Sequence, residues 1–161
     1  MSTVQETSQK MQDALTDLLK CDQHVNLVLL GDRTGLTITK VSRLLAAQMM
    51  GVRVDLESLG AIASAVFCGA EEQGNTLTLG MLRNMTAEFR DGKILTAATG
   101  SGGIICVVAG GDAQIGIIRV QMGKTAKRLS GILREFLALD VTPTVEAGDD
   151  LLDALDELDD F

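Results

Sequence analysis

The stretch Asp55 to Gln73, DLESLGAIASAVFCGAEEQ, constrains this chain more than any other, because it reads as one helix with two apolar faces. At about 100° per residue, Leu56, Leu59, Ile62, Ala63, Val66, Phe67 and Ala70 share a stripe expected to face a core. The other side carries Gly60, Ala61, Ser64, Ala65 and Cys68, with Glu57, Glu71 and Glu72 at its margins. Small residues let a second backbone approach closely. That face therefore suits either a partner or another part of the same chain. A small domain rarely wraps a helix of this length on every side, which favours a partner.

The chain has 161 residues and is 46% hydrophobic, enough for one domain with a proper core. It has four Phe and no Trp or Tyr, so it lacks the aromatic platforms of a base-stacking nucleic-acid binder. The net charge of −8 argues the same way. Eight of the 22 acidic residues lie between Glu146 and Phe161, where there is no Lys or Arg. The remaining 14 acids balance the 14 bases, so the body is neutral and the tail carries the imbalance. Cys21, Cys68 and Cys106 are far apart and form no CxxC pair. They read as reduced, mostly buried thiols of an intracellular protein. With a polar N-terminus and no apolar run of about 18 residues, a cytoplasmic protein without membrane insertion is expected.

Along the chain, Val4–Cys21 has helical spacing in Met11, Ala14, Leu15, Leu18 and Leu19. His24–Leu30 and Leu36–Val41 read as two strands joined by GDRTG, in which Asp32 bonds local amides and Gly35 supplies a positive φ. Ser42–Val54 is open between a short helix and an ordered loop. Gly74 and Asn75 close the central helix. A long alternating strand, Thr76–Arg90, then places Leu77, Leu79, Met81, Met85, Ala87 and Phe89 on one face, with Arg83 breaking the parity. Asp91-Gly92 turns the chain into Lys93–Ala98, and a second turn leads to Ile104–Ala109. A final helix runs from Asp112 or Ala113 to Leu139, with Lys124, Lys127, Arg128 and Arg134 on its wet side. The domain thus spans residues 1–139. Residues 140–161 form an acidic tail, in which Leu151, Leu152, Leu155, Leu158 and Phe161 would share one flank of a helix. The tail is either a disordered solubilising segment or an amphipathic helix that folds on a partner or back on this protein.

No residue set suggests enzyme chemistry, a metal or a cofactor. Gly123-Lys124-Thr125 resembles the end of a P-loop, but Ile118 stands where the motif needs Gly, and the triplet falls inside a helix whose amides are already bonded. His24 and Cys68 read as structural residues.

The element order, helix–strand–strand–helix–strand–strand–strand–helix, gives an α+β fold: a five-stranded antiparallel sheet with one helix on one face and two on the other. The chain resembles the roadblock (dynein light chain) family through GDRTGLTIT, DLESLGAIASAVFCGAEEQG, TLTLGMLRNMTAEFRDGKILTA and GGIICVVAGGDAQIGIIRVQMGKTAKRL. The resemblance covers roughly Met11 to Leu137. The long Ser42–Val54 connection and the acidic tail depart from the family pattern. The resemblance implies a non-catalytic scaffold that forms a homodimer through the central helix and the third strand and binds a Ras-like small GTPase. The bacterial gliding-motility members of the family act as GTPase-activating proteins. Carried onto this chain, Leu79, Met81, Arg83, Met85 and Ala87 mark the dimer-edge strand, and Gly60, Ala61, Ser64, Ala65 and Cys68 line the docking platform. The alternative is a structural adaptor in a larger complex or motor, without effect on GTP hydrolysis.

Overall fold

The structure is a computed structural model that describes residues 2–43 and 55–140. The Ser42–Val54 connection from Leu44 onward and the tail helix lie outside the described residues. Helix α1 (Ser2–Lys20) is followed by strands β1 (Val25–Asp32) and β2 (Thr37–Ser42), helix α2 (Leu56–Thr76), strands β3 (Asn84–Phe89), β4 (Gly92–Ala98) and β5 (Gly103–Gly110), and helix α3 (Ile115–Asp140). The sheet order is β2-β1-β5-β4-β3, antiparallel throughout. The expected fold class is the one observed.

β1 and β5 are near-continuous apolar runs because they are central and covered on both faces. On one side of the sheet, Leu15 and Leu18 of α1 and Ile118, Met122 and Leu129 of α3 pack on Val28, Leu30, Leu95, Ile105 and Val107. On the other side, Leu56, Leu59 and Ala63 of α2 pack on Leu27, Leu29, Cys106, Ile94 and Val108. The end of α1 is tied to the sheet by Arg43, whose guanidinium donates to the carbonyls of Val25 and Leu19 at 2.7 Å and of Asp22 at 3.1 Å. Leu19 lies in the last turn of α1, where carbonyls lack helical partners. Asp22 also accepts from the amide of Gln114 at 2.9 Å and so caps the start of α3 from the other end of the chain.

Three sequence expectations need correction here. The two-residue loop of the β3–β4 hairpin is Arg90-Asp91, and Gly92 already pairs with Phe89. A Cβ on Gly92 would meet the Ala109 carbonyl at 2.9 Å, so the glycine serves close strand approach. Second, α2 passes through Gly74 and Asn75 and ends at Thr76, one residue later. The amide of Leu79 reaches back to the Gly74 carbonyl (2.9 Å) and that of Thr78 to Asn75 (3.2 Å), which is a Schellman closure. Its left-handed position is held by Thr78, at φ 54, and not by a glycine. Third, the long strand is cut to Asn84–Phe89. Leu77, Leu79, Met81 and Arg83 precede it and are not paired in the sheet.

A β-branched residue in the left-handed region costs roughly 1–2 kcal/mol. Thr78→Gly is therefore expected to raise stability by about 1 kcal/mol, with the denaturant midpoint moving up at unchanged slope. A lower midpoint would show that the threonine side chain is needed where it stands.

A candidate docking face on the second helix and the sheet edge

Asp55 starts α2 by accepting from the amides of Glu57 (3.2 Å) and Ser58 (3.4 Å). Along its length the helix is clasped by the β1–β2 turn. The Ser64 hydroxyl lies 3.1 Å from the Asp32 carbonyl and 3.0 Å from the Arg33 carbonyl, and donates to them. Gly35, at φ 95, sits against Ala61, so that a Cβ there would lie 3.1 Å from the Ala61 Cα. A Cβ on Gly60 would collide with the Thr37 hydroxyl. Further along, the Arg33 guanidinium grips Glu71 with two bonds of 2.6 and 3.1 Å. That bond is the first cause holding the Glu71 carboxyl below its ordinary pKa.

The turn is itself ordered by Asp32. Its carboxylate accepts from the Thr34 hydroxyl (2.6 Å), the Thr34 amide (2.9 Å) and the Leu36 amide (3.0 Å). These bonds, the Thr34 hydroxyl first, hold the Asp32 carboxyl below its ordinary pKa.

The clasp decides which face of α2 is free. Gly60 and Ser64 are buried within the chain, and Cys68 is half-buried beside Arg33. Of the five small residues, only Ala61 and Ala65 are exposed. Two members of the expected core stripe lie outside instead: Ile62 is 60% and Val66 51% exposed. The helix is thus rotated by about a quarter-turn from the orientation its larger side chains suggest. Close approach at Gly60 and Ser64 prevails over burial of Ile62 and Val66.

The Gly60–Ser64 flank faces the β1–β2 turn, so the opposite flank, with Ile62 and Val66, points toward the β4–β3 side. There Met85 and Ala87 of β3 are half-buried and Phe89 is 59% exposed. The three share the sheet face that α2 covers only as far as β4. Leu79 (74%) and Met81 (82%) extend this surface at the C-terminal end of α2, and Arg83 is also exposed. β3 pairs only with β4 among the described residues. The structure therefore brings Met85 and Ala87 to a sheet edge. It leaves Leu79, Met81 and Arg83 on an irregular segment beside that edge. Sequence periodicity missed Ile62, Val66 and Phe89 as surface residues.

The exposed apolar flank and the sheet edge beside it form a surface suited to binding. Cys106 is buried, and burial pushes its thiol up to about 12, far from a nucleophile's range. Gly123-Lys124-Thr125 lies in the middle of α3. Among the described residues no group of three or more His, Cys, Asp or Glu is placed to hold a metal. None of the described helices is long and apolar enough to cross a membrane.

The Roadblock/LC7 domain profile matches residues 11–109. The chain belongs to the roadblock/LC7 family. It is 30% identical over 102 residues to the uncharacterized protein MJ1340 of Methanocaldococcus jannaschii, covering 63% of this chain and 88% of that one. Among solved structures, the gliding protein MglB of Thermus thermophilus superposes with a TM-score of 0.72 at 15% identity, covering 80% of this chain and 92% of that chain. MglB in a tetrameric arrangement superposes equally well (0.72, 16% identity, 80% and 91% coverage). At these identities the likeness is one of fold.

Because the Asp32 pKa is depressed in the folded chain, its carboxylate contributes stability above the unfolded value of about 3.9. That contribution is lost as pH falls through the lower folded value. Asp32→Ala should cost about 1–2 kcal/mol near neutral pH, on the scale of a lost cap. The gap to wild type should narrow on acidification below about pH 4. Chemical denaturation across pH measures it, and a gap independent of pH would mean that the ionised carboxylate is not what orders the turn.

Proposed function

We propose that this chain is a cytoplasmic, non-catalytic homodimer that binds and regulates a Ras-like small GTPase. The observation that carries the proposal is the exposed apolar flank of α2, Ile62 and Val66, beside a β3 edge that has no strand against it among the described residues. Pairing β3 with β3 of a second copy satisfies the edge amides and carbonyls. It also brings two α2 helices to the same side of one continuous sheet. The tetrameric arrangement of one MglB structure supports self-association for this fold. Residues Met85, Ala87 and Phe89, with Leu79, Met81 and Arg83 next to them, then belong to the dimer seam. Ala61 and Ala65, on the outermost line of α2, remain for the GTPase. Gly60, Ser64 and Cys68 act indirectly, by holding α2 against the β1–β2 turn. The family resemblance supports a GTPase as partner, and a GTPase-activating role is the finer form of the same proposal.

Val66→Arg changes a residue already half in water, so the fold should lose no more than about 0.5 kcal/mol. Self-association should weaken more than tenfold in sedimentation equilibrium. Ser64→Arg is expected to unfold the chain instead, by forcing a charge into a buried site. A wild type that stays monomeric at tens of micromolar, about the range of weak interfaces, would remove the dimer. GTPase binding is tested separately, by titrating the protein against Ras-like GTPases in both nucleotide states and following GTP hydrolysis. Binding without a change in hydrolysis would leave a scaffold, and no binding in either state would end the GTPase proposal.

A further inference from the structure

The opposite side of the sheet carries a second recess, remote from the α2 flank. α1 lies over β1 and β2, and α3 over β5 and β4, so cover ends at α3. Beyond it runs a groove of about 540 Å³ between α3 and the segment that precedes β3. Its apolar lining comes from Met81, Leu82, Ala98 and Ala126. Arg83, Lys127 and Arg134 also line it, and Arg119 lines the adjoining pocket. Among the described residues none of these four cations has a carboxylate partner, whereas Arg128, on another face of α3, pairs with Asp17 at 2.7 Å. Gly123 lies at the groove in mid-helix, and a Cβ there would meet nothing within 4 Å. A glycine inside a helix costs about 1 kcal/mol relative to Ala, and none of the described residues packs against this one.

We infer that this groove is the docking site of the chain's own acidic C-terminal segment, Asp149–Phe161, folded as an amphipathic helix. The sequence DDLLDALDELDDF, wound at about 100° per residue, gathers Leu151, Leu155 and Leu158 at the centre of one side, with Leu152 and Phe161 flanking them. Its acids other than Asp159 fall on the remaining arc, and Asp159 lies between Leu155 and Leu152, so carboxylates border the central leucines on both sides. That pattern complements an apolar trough with cations along it, and the body of the chain is otherwise neutral.

The lengths agree. Twelve helical residues, 150–161, span about 18 Å, and Gly123 to Arg134 on α3 spans about 17 Å. From Asp140 the chain must turn back past about 9 Å of α3 to reach Arg134. The nine residues from Val141 to Asp149 reach about 30 Å when extended, and Pro143 among them opposes continuation of the helix. The segment therefore lies antiparallel to α3, its leucines over Met81, Ala98 and Ala126. This placement leaves β3 itself and the α2 flank free and meets the proposed dimer seam only at Met81 and Arg83, so it stands or falls independently of a GTPase partner.

The test is the amide NMR spectrum of the full chain. Leu151→Ser with Leu155→Ser should shift the resonances of Gly100, Gly123, Ala126 and Ser130. The same pair of changes, made in a Lys127→Glu, Arg134→Glu background, should leave those resonances where they are. Both cations are exposed, so the fold should tolerate the reversal. Gly123→Leu, which fills the groove with a good helix former, provides a second background with the same expectation. Salt should reproduce the effect of the tail changes as the screening length falls below about 10 Å. Identical shifts with and without the cations would overturn the proposal, as would shifts confined to α2. Recovery of the wild-type spectrum on mixing the labelled tail variant with unlabelled wild type would also overturn it, by assigning the groove to the tail of a second copy.

Discussion

The placement of α2 depends on one close contact, that between the β1–β2 turn and the inner flank of the helix. Hydrophobic burial alone does not fix this helix, because it has apolar residues all the way round. Directional contacts do. The Ser64 hydroxyl shares its proton between two turn carbonyls; that of Asp32 also accepts from the Gly35 amide, so the Arg33 carbonyl is the one that depends on Ser64, and leaving such a group buried and unpaired costs about 1–3 kcal/mol. The turn must have its shape before it can receive the helix, and that shape comes from Asp32 bonding three local groups and Gly35 at positive φ. Arg33 then closes the far end on Glu71. That ion pair, with the guanidinium 41% and the carboxylate 21% exposed, adds little energy but fixes direction.

Much of the fold was legible because its signals are local or periodic. The buried face of α1, the apolar runs of β1 and β5 and the stripe of Ile118, Met122, Leu129 and Leu133 follow from spacing alone. The orientation of α2 was not legible. Both faces satisfy a helical period, and the larger side chains outvote the small ones in any reading by hydrophobicity. The structure chooses the small ones because Gly60 and Ser64 allow a backbone approach that Ile62 and Val66 would block. The short β3 was hidden for a related reason. The sequence alternates from Leu77 to Phe89 except at Arg83, but residues 77–81 are all exposed and the chain joins the sheet only at Asn84. Whether α2 stops at Gly74 or at Thr76 turns on two backbone hydrogen bonds, and the best C-terminal residue in the sequence was passed over for Thr78.

That late stop has a consequence for the candidate site. If α2 ended at Gly74, the following residues would have the length to extend β3 toward the expected long strand. Closing at Leu77 turns the chain at Thr78 and leaves Leu79 and Met81 beside the edge, both more than 70% exposed. The strained threonine thus trades pairing within the sheet for apolar surface next to it. Such a trade is hard to account for in an isolated chain, since it loses both backbone pairing and burial.

Both ends of the sheet offer an edge, and symmetry of hydrogen bonding does not choose between them. Charge and cover do. β2 carries Lys40 in an exposed position, and its inner neighbours are already roofed by α1 on one side and by the α2 clasp on the other. A lysine on an edge is a known deterrent to further pairing. β3 has apolar Met85, Ala87 and Phe89 on the face that α2 fails to reach, next to the helix flank bearing Ile62 and Val66. A strand added at β3 would gain backbone pairing and, together with whatever helix accompanies it, apolar burial on that same face. A strand added at β2 would gain only the pairing. At about 25 cal/mol per Å² of apolar area, the difference grows by several kcal/mol once a few hundred Å² are covered. Of the two edges, β3 is therefore the one at which an added strand would bury the more apolar surface.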